Sequence, residues 1–92
     1  MKTYAWNPEK NEWLRKERSV SFEDVVFHIE AGDAMDIFEH QNQAKYPGQK
    51  VIVVRVEDYV YLVPFVESDE EVFLKTIIPS RGATKKYLGG LP

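Results

Sequence analysis

The chain contains no cysteine, which removes disulfides, thiolate metal ligands and cysteine nucleophiles together and agrees with a reducing compartment. No stretch approaches the roughly 20 apolar residues that a membrane helix needs, and no apolar run follows the lysine near the start. Membrane spanning and secretion are disfavoured on that count, and the cytoplasm is the expected location. Also missing are a glycine-rich phosphate loop, a GxSxG elbow, a metal-ligand cluster and carboxylate pairs of glycosidase type, so neither metal nor cofactor is expected. No repeat or low-complexity segment interrupts the chain.

What is present suits one thin-cored domain spanning residues 1–92, with Gly89–Pro92 read as a flexible tail. A chain of 92 residues buries only about 60 to 65% of the surface its unfolded form exposes. Hydrophobic residues make up 43% of it and charged residues 29%, enough for a folded core inside a well-solvated surface. The net charge of -3 opposes binding to a phosphate backbone, but the charge is unevenly spread. Glu67, Asp69, Glu70 and Glu71 crowd one short segment, whereas Val72 to Pro92 holds Lys75, Arg81, Lys85 and Lys86 and no acid.

Local signals then order the elements. Thr3 to Trp6 suits a short strand, and Asn7-Pro8 pairs an N-cap residue with the one favoured at the first helical position, so a helix should run to about Arg18, anchored by Trp13 and Leu14. Ser21 and Asp24 have the spacing of a capping box, with Val20 and Val25 placed as a hydrophobic staple. Phe22, Val25, Val26 and Ile29 follow one helical face, and Gly32 can close that helix, which predicts a second helix over about 22–31. Met35, Ile37 and Phe38 suggest a short strand, followed by a polar loop and a type II turn at Tyr46-Pro47-Gly48-Gln49.

Three β-branched and aromatic runs, Val51 to Val56, Tyr59 to Val66 and Val72 to Ile78, predict an antiparallel meander. Pro64 lies inside the middle run and lacks a ladder donor, so a bulge is expected near it. Pro79 ends the last strand, Ser80 can cap a helix, and Arg81 to Leu88 has the length of a short one. The fold class is therefore α+β: a short N-terminal strand, two helices, a three- to four-stranded antiparallel sheet and a short C-terminal helix.

The run Tyr4-Ala5-Trp6-Asn7-Pro8-Glu9-Lys10, with Leu14-Arg15-Lys16 and Val20-Ser21-Phe22-Glu23-Asp24 behind it, resembles the opening of the BrnT-type toxins of bacterial toxin–antitoxin pairs. The ending Ile77-Ile78-Pro79-Ser80-Arg81-Gly82-Ala83-Thr84-Lys85-Lys86-Tyr87 is similar to that family's close, and the two ends cover about forty residues. The resemblance implies a RelE-like fold and an mRNA-cleaving toxin that uses no metal. It also implies a ribbon-helix-helix antitoxin, through which alone the toxin would meet DNA. Three positions depart from the family pattern: Arg18 stands at its histidine, Ser19 at the glycine after it, and Gly82 at the basic residue after its arginine.

Metal-free cleavage of RNA needs a base for the ribose 2′-hydroxyl, cations for the phosphate and an acid for the leaving oxygen. Arg81 is the first choice for the phosphate, because its planar fork binds two oxygens and an adjacent helix N-terminus adds favourable partial charge. Lys75, in a strand beside Phe73 and Ile77, would line the cleft. Lys85 and Lys86 would extend the phosphate-binding surface, although lysines near a helix C-terminus also follow from the helix dipole. His40 in a polar stretch and Tyr87 are the candidates for proton transfer, while His28 beside the apolar face of the second helix reads as structural. Arg15, Lys16 and Arg18 match the family's basic segment and would contact RNA or antitoxin; a solvated face shared with Glu12 and Glu17 competes with that reading. The net charge and Gly82 also fit a second possibility, a binding module of the same fold that acts through its antitoxin complex without cleaving RNA.

Overall fold

The computed structural model describes residues 2–89, in the order β1 (Thr3–Ala5), α1 (Pro8–Arg18), α2 (Phe22–Glu30), β2 (Ala34–Glu39), β3 (Lys50–Val56), β4 (Tyr59–Glu67), β5 (Glu71–Leu74), β6 (Ile78–Pro79) and α3 (Arg81–Leu88). The caps form where the side chains allow them. Asn7 accepts from the Lys10 amide at 3.0 Å, and Ser21 and Asp24 exchange both bonds of the capping box at 3.1 and 3.0 Å. Ser80 accepts from the Ala83 amide at 3.0 Å and so starts α3. Gly48, at φ +73°, and the bond from the Gln49 amide to the Tyr46 carbonyl agree with a type II turn. Gly89 follows α3 as its cap, and the rest of the expected tail, residues 90–92, lies outside the described residues.

The sheet is larger than expected and mixed rather than antiparallel. Its strand order is β1-β5-β4-β3-β2, with β6 also pairing β4, and β1 runs parallel to β5 through Tyr4 opposite Val72. Helices α1 and α2 carry the chain from β1 at one edge of the sheet to β2 at the other.

The expected strand from Val72 to Ile78 is split. On β4, Phe65 pairs with Leu74 and Leu62 with Ile78, so the two residues Val63 and Pro64 face the three residues Lys75, Thr76 and Ile77. Proline has no N–H to offer there, but its carbonyl accepts the Lys75 amide at 2.8 Å, and the extra residue bows the chain away from the ladder. Lys75 consequently lies in the break and not in a strand.

Helices α1 and α2 cover the first face of the sheet. Leu14, Val20, Phe22 and Val25 pack there against Ile52, Val54, Val63, Phe65, Leu74 and Ile77. Trp13, expected as an anchor, is 43% exposed and lies under the cations of Lys10 and Arg18. Asn11 takes its place: it is buried, and its carboxamide accepts the Phe22 amide at 2.8 Å and donates to Glu23 at 2.8 Å, joining α1 to the start of α2.

Candidate functional site

The second face of the sheet, opposite α1 and α2, is the one left partly open. Cross-strand partners point to the same side, so Phe38, Val51 and Pro64 share this face, as do Val53, Leu62 and Ile78. Val53 and Val60 are buried there, and Tyr87 reaches across from α3 to Asp36 on β2, which places α3 over that end. Beyond α3 lies a groove of about 290 Å³ lined by Phe38, His40, Gln41, Val51, Leu62, Pro64 and Ile78. Its floor is apolar and its polar groups come from the loop after β2.

His40 is the candidate that lines this groove. Its Nδ1 accepts the Asn42 amide at 3.1 Å, so the neutral ring carries its proton on Nε2 and presents a donor. That suits contact with a phosphate or carbonyl oxygen better than removal of a proton. The ring rests on Tyr46, with centroids 4.5 Å apart, and Gln43 ties the loop to the carbonyls of His40 and Gln49.

Arg81 opens α3 three residues after Ile78, a lining residue of the groove. It is exposed, and no carboxylate among the described residues is within salt-bridge distance of it. The helix start is held firmly: Ser80 donates its amide to the Val60 carbonyl at 3.1 Å, and the Thr84 hydroxyl accepts the Val60 amide at 2.9 Å. Lys75 is exposed, and its ammonium lies 5.6 Å from the ring of Phe73, which pairs with Val66 on the second face.

Tyr87 is committed elsewhere. Its hydroxyl donates to Asp36 at 3.0 Å, and that bond to a carboxylate, aided by burial and by the carboxylate's charge, raises its pKa above the usual phenol value. At neutral pH it is a pinned donor rather than a base. Lys85 and Lys86 occupy the exposed last turn of α3, with Lys86 over the Tyr87 ring.

The basic residues of α1 are not brought to the groove. Their helix covers the first face, where Arg15 pairs with Glu12 and Glu23 at 3.5 and 3.3 Å and Lys16 is exposed. Arg18 donates to the Ile77 carbonyl at 2.6 Å, clamping α1 to the break in the sheet while its guanidinium rests on Trp13. No family model, curated protein or solved structure matches the chain. The geometry of the second face therefore carries the reading of the site.

Sequence reasoning did not single out Asp36, Gln41 or the apolar floor. The floor was in principle readable, because Phe38, Val51, Leu62 and Ile78 sit in strand-like runs at positions that alternate away from the core set. Asp36 carried no such signal, since its pairing to Tyr87 spans 51 residues. Among the described residues no group of three or more potential metal ligands is found, and no helix is long and apolar enough to cross a membrane.

Proposed function

We propose that this protein is the toxin of a toxin–antitoxin pair, a metal-independent endoribonuclease of BrnT type that holds mRNA on the second face of its sheet. The observation that carries the reading is the groove itself, an apolar floor suited to an unstacked base with His40 presenting a donor among its lining residues, and Arg81 opens α3 three residues beyond Ile78 of that lining. The terminal motifs support it, as does the element order of strand, two helices, strands and helix. Arg81 binds the scissile phosphate, Lys75 and Lys85 add positive charge, and His40, hydrogen-bonded to a phosphate oxygen, is the proton-transfer candidate of this site. A ribbon-helix-helix antitoxin is the expected partner, and contact with DNA would run through it.

The test is incubation of the purified chain with mRNA in the presence of a chelator, with and without ribosomes. Cleavage is expected, and Arg81→Ala should lower it by about a hundredfold or more, as loss of one preorganised transition-state contact does. Intact RNA under both conditions, together with unimpaired growth of a host expressing the chain, removes the enzyme reading.

A second reading is favoured by one feature, the pairing of Tyr87 with Asp36, which occupies a proton-transfer candidate and places a carboxylate on the face meant for RNA. On that reading the chain is a binding module of the same fold that acts through its antitoxin complex. Gly82→Lys distinguishes the two: it creates or raises growth arrest if the missing cation is what silences cleavage, and changes nothing in a pure binding module.

A further inference from the structure

We infer that the outer edge of β2 is a docking site for an extended, cationic segment of a partner protein, which joins the sheet as an additional strand. The inference does not depend on the ribonuclease reading. Strand β2 ends the sheet on one side, and all six of its residues are exposed. The His40 amide donates to the Gln49 carbonyl of the neighbouring chain segment, so the alternation of an antiparallel ladder turns the amides of Ile37 and Glu39 outward. Among the described residues the Ile37 amide is met only by the Asp36 carboxylate, at 2.8 Å, a local bond that an incoming carbonyl can replace. An unpaired edge of this length is a template for strand addition.

Two further observations specify the occupant. Residues 19–44 contain six acids, Glu23, Asp24, Glu30, Asp33, Asp36 and Glu39, and no lysine or arginine. Lys50, which stands opposite Glu39 in the ladder, makes no salt bridge to it. Of the six acids, Asp36 and Glu39 lie on β2 and Asp33, beside His28 at 2.8 Å, just before it. None of these three is within salt-bridge distance of a lysine or arginine among the described residues, so the complement of the edge is a strand carrying lysine or arginine. Apolar side chains alternate with those acids: Ile37 is 56% exposed and Phe27, on the adjoining helix, 67%. Ile37 also borders a pocket of about 180 Å³ on the first face, space for an apolar side chain of the added strand. A second copy of this chain fits poorly, because Asp33, Asp36 and Glu39 would meet the same three acids within a screening length of roughly 8–10 Å.

The experiment titrates the full chain with a short synthetic peptide of alternating lysine and valine, following amide shifts and hydrogen exchange by NMR. Controls are the glutamate–valine peptide and the lysine–valine peptide with N-methylated backbone. Expected are protection of the Ile37 and Glu39 amides, binding that weakens as salt is raised, and an affinity about tenfold lower for the double variant Asp33→Lys, Glu39→Lys. Asp36 is left intact in that variant because it holds Tyr87. Equal binding of the N-methylated peptide would show a charge contact without strand addition and overturn the proposal. So would protection confined to other strands, equal binding of the acidic peptide, or self-association of the chain through β2 in sedimentation.

Discussion

Asn11 shows how a single buried carboxamide organises two helices and a charge. Its oxygen satisfies the Phe22 amide at the start of α2, and its nitrogen holds the Glu23 carboxylate. That hydrogen bond, more than the partial burial that opposes it or the nearby Arg15, lowers the Glu23 pKa below the usual carboxylate value. A carboxylate with a depressed folded-state pKa stabilises the fold above its unfolded pKa, and the contribution disappears as pH falls through the folded value. Asn11→Ala should therefore return Glu23 toward ordinary titration, seen by NMR of its side-chain carboxyl, and flatten its share of the acid destabilisation. Leaving the Phe22 amide without its acceptor should also cost about 1–3 kcal/mol in urea denaturation. An unchanged Glu23 titration in that variant would mean that charge, and not the hydrogen bond, sets its pKa. Arg18 belongs to the same scale: a position matched to RNA contact by motif serves, in the fold, a backbone carbonyl on another element.

Among the elements, the helices were the most legible, because caps and apolar spacing act within a few residues. The expected ranges 8–18 and 22–31 meet the observed Pro8–Arg18 and Phe22–Glu30 within a residue. Strand runs were legible as well, and Pro64 forecast the irregularity opposite Lys75 to Ile77. The direction of β1 was not, since its partner Val72 lies far along the chain and either orientation satisfies the same local pattern. Two turn and helix positions invite stabilising changes. Glu57 takes φ +58° in the turn between β3 and β4, where a side chain costs energy that glycine avoids, so Glu57→Gly should gain about 0.5–1 kcal/mol. A Cβ added at Gly82 meets nothing within 4 Å, so Gly82→Ala should gain up to about 1 kcal/mol, read as a Tm rise of about 4–8 °C per kcal/mol for a chain of this size. A lowered Tm for Gly82→Ala would mean that α3 needs the glycine for a reason other than space.

At the scale of the molecule, one sheet separates two environments. Its first face holds the core, and Ile77, fully buried in the break between β5 and β6, both fills that core and offers Arg18 its carbonyl. Ile77→Ala should cost about 2–5 kcal/mol, a large part of the stability of so small a domain, with a matching fall in the urea midpoint. A loss below about 0.5 kcal/mol would show that the break collapses onto the space and is not a fixed part of the core. The second face divides between α3 and the groove, and the acids of α2 and β2 lie in a different stretch of chain from the cations of the C-terminal third. RNA in the groove and a cationic partner on the β2 edge would thus approach β2 from its second face and from its free edge, respectively.

Composition and local pattern were enough to establish the α+β class, the helices, the main strand runs and a basic C-terminal stretch, because capping, periodicity and turn chemistry act over neighbouring residues. Long-range pairing decided the rest. It set the parallel edge strand, left Lys75 in a break, withdrew Arg18 and Tyr87 into contacts with Ile77 and Asp36, and gathered His40 and Ile78 around one groove. Those outcomes depend on which segments lie side by side across the sheet, and neighbouring residues hold no record of that.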